Sequence, residues 1–310
     1  MRITLNMQTD QSLLTLNNQQ EQITQLSQEI SSGVKLSSAS DDPYAWSQVM
    51  NVKQGLSEYK SILSGINFAT GWDQATESSL NELSDLVSQA QQVAITAASA
   101  NSTSQNAALF SQVNGILQQA VTLANSQYGD QYIFSGTNTT EAPYSIDSST
   151  GVVTPNPNSN SDPILVKTST SNAAGGGSTV INLTGDQVFN YTSGGNSENV
   201  LNAIWSLGQA IQNGDSAAVS SSLTTLNDAY NHVNNELTVA GSMLSSLTSQ
   251  QSAITTIQTN AQSTLSNLQD TDVATATTQL TTAQTAFQAA LKVVNNLESM
   301  NLASYLTGTT

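Results

Sequence analysis

The chain has no cysteine, which excludes disulfides, thiolate nucleophiles and Cys-ligated zinc or iron–sulfur sites. Positive charge is almost as scarce: 6 Lys and Arg stand against 22 Asp and Glu, a net charge of -16. The basic residues Arg2, Lys35, Lys53, Lys60, Lys167 and Lys292 are scattered singly. No basic stripe is available to neutralise phosphates, so nucleic acid and anionic lipid surfaces are not expected partners. No stretch approaches the ~20 apolar residues of a membrane span, so membrane insertion is not expected. The first ten residues lack the basic region and apolar run of a cleavable signal peptide. A single His, His232, supports no Ser-His-Asp arrangement. It sits in a helical pattern and reads as a partly exposed helix residue. Asp41-Asp42 and the Asp270, Asp272 pair lack the ligand spacing of a calcium loop and stand where helix caps are expected. No catalytic residue, cofactor or metal site is expected.

What the chain has instead is uncharged polarity: 142 of its 310 residues are Ser, Thr, Asn or Gln, and 37% are apolar. Apolar residues at that level build a core only when they are concentrated on stripes. Proline marks where the stripes run. Of the five prolines, Pro143, Pro155, Pro157 and Pro163 crowd into one short region, leaving 44–142 and 164–310 free of the residue that costs a helix interior ~3 kcal/mol. The same region carries Gly175-Gly176-Gly177, Gly194-Gly195 and short β-branched runs such as Ile164-Leu165-Val166, a pattern of strands between turns.

On both sides of it, apolar residues recur at alternating three- and four-residue spacing, the signature of a helix seam. Val49, Val52, Leu56, Tyr59, Leu63 and Ile66 form one register, and Leu80, Leu83, Val87, Ala90, Ala94 and Ala97 form another. The two are out of phase, so a turn or a coiled-coil discontinuity is expected between Gly65 and Gly71. Further seams follow at 110–124 and 200–268. The chain ends repeat by seven: Leu16, Ile23 and Ile30, with Leu13 and Leu26 beside them; then Val273, Leu280, Phe287 and Val294, interleaved with Ala276, Ala283, Ala290 and Leu297. The spacing predicts a mainly α protein with a small β insertion, its N- and C-terminal segments forming a long antiparallel helical rod or coiled coil. Three domains are expected: 1–45 plus 270–310 as a terminal coiled coil, 46–136 plus 197–269 as a helical rod, and 137–196 as a β-rich insertion.

The terminal segments look too weak to fold alone. Full burial contributes ~1.5–3 kcal/mol for each large side chain, whereas ordering costs ~1–2 kcal/mol of backbone entropy per residue. Along 273–297 the large apolar residues are few and Thr is abundant, so the lone helix is marginal in water. The ends are expected to be disordered in the monomer and to order on assembly. Leu13, Leu16, Ile23, Leu26, Ile30, Val273, Leu280, Phe287, Val294 and Leu297 are the expected subunit-packing seam.

Residues 29–46 include Ile30-Ser-Ser-Gly33, then Lys35, then Ser38-Ala-Ser-Asp41-Asp42-Pro43. This stretch resembles the signature joining the first two helices of the flagellin superfamily, and the physics agrees: Gly33 suits a helix end, Asp41 or Asp42 a cap, Pro43 a first turn. Val93–Asn101 resembles the Leu-Ala-Val-Gln-Ala-Ala-Asn helix of that superfamily. Gln131-Tyr-Ile-Phe-Ser-Gly-Thr137 followed by Ala142-Pro143-Tyr144 is similar to the segment by which the hook-associated protein 3 family leaves its helical domain, with Tyr144 where Phe is usual. The ending Met300–Leu306 is similar to the same family's finish. The resemblance implies a structural adaptor between the flagellar hook and filament, exported through the type III channel without a cleavable signal. Its implied partners are further copies of itself in a ring or helix, hook-associated protein 1, flagellin and a cytoplasmic export chaperone; the implied location is extracellular, at the hook–filament junction. Two rival expectations are a filament flagellin and, in another class, an extracellular adhesin on a helical stalk.

Overall fold

The computed structural model describes residues 5–99, 103–147, 150–158, 162–170 and 177–306. Gly175, Gly176 and the tail 307–310 lie outside the described residues, as does the side chain of Leu297. The chain runs through helices α1 (Leu5–Ser32), α2 (Pro43–Ala98) and α3 (Thr103–Ala124), then strands β1 (Gln127–Tyr128) to β6 (Ser178–Val180). The short helix α4 (Gly185–Phe189) and strands β7 (Asn190–Ser193) and β8 (Asn196–Asn199) follow, then α5 (Val200–Asn213), α6 (Ser216–Gln269) and α7 (Val273–Leu306). The architecture is the mainly α one the periodicities predict. Among the described residues its β content is four separate antiparallel two-stranded sheets, β1–β2, β3–β4, β5–β6 and β7–β8, with β2 at Gln131–Tyr132, β3 at Tyr144–Ile146, β4 at Val153–Pro155 and β5 at Leu165–Lys167.

The chain forms two compact units, residues 1–57 with 259–310 and residues 58–258. In the first, α1 packs along α7, burying Leu16 and Leu26 together with Ala276, Ala283 and Val294. Small alanines on α7 let the helices approach where Leu side chains of α1 fill the space. Thr277, Thr278, Thr281, Thr282 and Thr285 of α7 each turn their hydroxyl back to the carbonyl four residues earlier. Such back-bonding satisfies the hydroxyl but adds little to the helix, in keeping with a helix that relies on its neighbours.

In the second unit the core runs from Trp72 and Leu80 through Ile133, Phe134 and Phe189 to Ile204, Leu226 and Val233. A second cluster joins Ile62, Ile66 and Ala69 of α2 to Ile181 and to Leu247 and Ile254 of α6. α2 continues unbroken through Gly65 and Gly71, so the phase change read from the sequence is not a turn. The buried face carries on through Ala69, Asp73, Thr76 and Ser79, positions whose small or polar residues hide the stripe in the sequence. Both glycines are points of close approach. A Cβ at Gly65 would sit 2.8 Å from Val166 Cγ1, and one at Gly71 would collide with the Tyr128 ring. The roughly 1 kcal/mol that each glycine costs the helix relative to Ala is offset by seating a hairpin side chain against the backbone.

Candidate functional site

The loops at 33–42 and 270–272 hold the terminal unit together. Gly33 has φ 71°, and its N–H bonds the Glu29 carbonyl, closing α1 with the left-handed residue that favours glycine. The chain then pairs with the loop before α7: Val34 bridges Asp270 antiparallel, Lys35 N–H donates to Gln269 O at 2.8 Å, and Thr271 N–H donates to Gly33 O at 2.9 Å. The Gln269 side-chain amide adds a bond to Leu36 O. The end of α1 is thereby tied to the start of α7, which sets the two helices antiparallel.

The adjacent acids divide the work. Asp42 Oδ1 accepts from the N–H groups of Tyr44 and Ala45 and caps α2, whose first residue is Pro43. Asp41 instead accepts from the N–H groups of Ser38 and Ser37, and these bonds hold its carboxyl below the usual carboxylate range. Asp272 caps α7 through Ala274 N and Thr275 N; the Thr275 hydroxyl, first, and these N–H groups lower its pKa. Both depressed carboxylates favour the folded loops above the ordinary carboxyl range, and that contribution is lost as pH falls through their lowered values.

The expected seam residues fall in two classes. Leu16, Leu26 and Val294 are buried between α1 and α7; Ile23, Ile30, Leu280 and Phe287 are half-buried. Leu13 and Val273 are each 48% exposed. Beside them Met7 and Leu14 on α1 and Leu291 and Val293 on α7 are exposed too, so the terminal helices carry an apolar rim outside their mutual contact.

A second constellation is the segment Tyr132–Gly136 with Tyr144. Ile133, Phe134 and Ser135 are buried. Phe134 meets Phe189 edge to face at 5.4 Å, and Tyr144 meets Phe189 at 4.9 Å. Gly185 N–H donates to Phe134 O at 2.7 Å, and a Cβ at Gly185 would press on that oxygen and on the Tyr144 hydroxyl, both at 2.9 Å. Asn125 fixes Tyr144 from both sides, its amide donating to Tyr144 O and its carbonyl accepting from Tyr144 N–H. Burial, with Asp186 adding to it, pushes the Tyr144 hydroxyl pKa up. α4 was not foreseen in the sequence; the signal that could have found it is its Thr184 to Gln187 capping box, a recognised helix start.

His232 lies on α6, half-buried, stacked on Tyr191 with ring centroids 5.7 Å apart and with Nε2 2.8 Å from Gln187 O. Glu236, one turn on, has its pKa raised by burial, against which His232 acts. Among the described residues no group of three or more His, Cys, Asp or Glu could hold a metal ion. No described helix is long and apolar enough to cross a membrane.

Residues 3–139 match the family model for the bacterial flagellin N-terminal helical region, and residues 223–306 match that for the C-terminal helical region. The flagellar hook-associated protein 3 of Salmonella typhimurium is 31% identical over 153 residues, 49% of this chain and 48% of that protein. Its Escherichia coli namesake is 29% identical over 147 residues, 47% of this chain and 46% of that protein. The matched stretch therefore spans about half the length of these curated relatives. Among solved structures, a flagellar hook-associated protein-3 from Legionella pneumophila superposes with TM-score 0.60 at 13% identity, covering 71% of this chain and 98% of that one. At that identity the superposition speaks for the fold alone.

Proposed function

Because the chain belongs to the flagellin superfamily, its first and last regions both matching that family's helical regions, we propose that it is a structural, non-enzymatic adaptor of the bacterial flagellum. In this reading it joins hook to filament. It is exported through the flagellar type III channel, escorted by a cytoplasmic chaperone, and assembles as a ring or helix of identical subunits on hook-associated protein 1 before flagellin adds. The observation that carries the reading is the terminal unit: α1 and α7 are stitched together by the 33–35 and 269–271 backbone bonds, yet leave Leu13, Leu14, Val273, Leu291 and Val293 uncovered. Head-to-tail contact through such a surface builds rings or helices and not closed dimers. The identity with two hook-associated proteins 3 favours the junction over the filament.

A strain lacking this chain is expected to keep its hook, shed flagellin into the medium and swim no farther than a filament-less control. Filaments of normal length on such cells would overturn the assignment.

The same reading makes the ends order on assembly. Brief proteolysis of purified monomer is expected to trim roughly forty residues from each end and spare the remainder, since exposed, weakly held backbone is cut first. Equal resistance at both ends would show that the terminal helices fold without partners.

A further inference from the structure

In the second unit, α2 and α6 run antiparallel at a register fixed by three cross-contacts. Gln251 Nε2 donates to Asn67 Oδ1 at 2.7 Å, Gly241 lies beside Glu77 Oε1, and Asn234 Nδ2 donates to Ser84 Oγ. Within this stretch Asp73 is 1% exposed, and its Oδ2 finds no hydrogen-bond donor; Thr70 Oγ1, one turn back on the same stripe, is buried without a partner as well. On its own helix the acting charge is Glu77, one turn ahead and of the same sign. On α6, residues 237–269 include no Asp, Glu, Lys, Arg or His. From β1–β2 the packed group is the Tyr128 phenol, seated on Gly71 with its ring 6.2 Å from that of Trp72. Lys167, the lone basic residue of 127–199, is held by Glu58 at 2.6 Å.

A carboxylate oxygen buried without a donor, and without a counter-charge nearby, makes the ionised form costly. We propose that Asp73 is a proton-binding element of the α2–α6 layer, occupied by a proton in the tightly packed state and loosening that layer when it ionises. Glu77 strengthens the preference, because a second negative charge one turn away opposes the first. In agreement, burial first and Glu77 second push the Asp73 carboxyl up to about 7. The sign of the effect follows. The unfolded chain gives up this proton near the ordinary carboxyl value while the folded chain keeps it to about neutrality, so the folded state binds more protons between the two, and stability falls as pH rises.

The test is urea unfolding of the full chain and of Asp73→Asn at pH 5, 6, 7 and 8, followed by far-ultraviolet circular dichroism. Asn copies the neutral carboxyl in shape, so the ratio of the two unfolding constants isolates Asp73 from every other acid. That ratio is expected to rise about a hundredfold, in favour of the variant, between the lowest and highest pH. A ratio that does not change with pH overturns the proposal. Should Asp73→Asn not fold, Glu77→Gln decides: removing the neighbouring charge must shift the pH midpoint of the destabilisation downward, and an unmoved midpoint counts against the proposal.

Discussion

Changing Leu280 and Phe287 together to Asp is expected to remove this chain from the flagellum, lowering incorporation at least tenfold, while the thermal transition of the purified monomer moves by no more than a few degrees. Both side chains are half-buried on α7, about one turn from Ala276 or Ala283, which pack against α1. At 100° per residue they fall on the same side of α7 as the exposed Val273 and Leu291. In an assembled seam, two unpaired carboxylates per subunit would each carry a desolvation penalty of several kcal/mol, repeated at every copy. In the monomer the main transition belongs to the 58–258 unit, whose core contains neither residue. Normal incorporation of the double variant would mean that this face of α7 is not an assembly surface.

Phe189→Ala is expected to destabilise the 58–258 unit by about 3–5 kcal/mol, a large part of the roughly 5–15 kcal/mol by which a domain is stable. Phe189 is fully buried and is the one ring that meets both Phe134 and Tyr144. Removing it leaves two aromatic edges without a partner and a void between α4, β3 and the segment after β2. The urea midpoint of this unit measures the loss. A change below about 1 kcal/mol would show that the site collapses freely and that the aromatic trio does not hold the unit together.

The helices were legible because their seams are written in large apolar letters: Leu80, Leu83 and Val87 on α2 and Val200, Ile204 and Leu207 on α5 are all buried. The seam of α2 vanished from the sequence at Asp73, Thr76 and Ser79, which occupy core positions with residues that a hydrophobic pattern cannot register. The short strands were legible as punctuation, but their pairing into four independent hairpins depends on where each lands on a helix, and Val166 on Gly65 or Tyr128 on Gly71 cannot be read from spacing. Asp41 and Asp42 were equivalent as capping candidates; only the backbone path assigns α2 to Asp42 and the preceding turn to Asp41. On the terminal helices the sevenfold repeats did not tell which residues pack between α1 and α7. The alanine series Ala276 and Ala283 is buried, while Val273 of the large series is exposed, because small side chains are what allow α1 to lie close.

The junction reading itself is tested most directly by immunogold labelling of flagellated cells, with an antibody raised against 145–196, the stretch containing strands β4 to β7. The account predicts gold confined to the point where hook meets filament. Gold along the whole filament would make this chain a flagellin, and gold on the cell body with none on the flagellum would contradict the account outright.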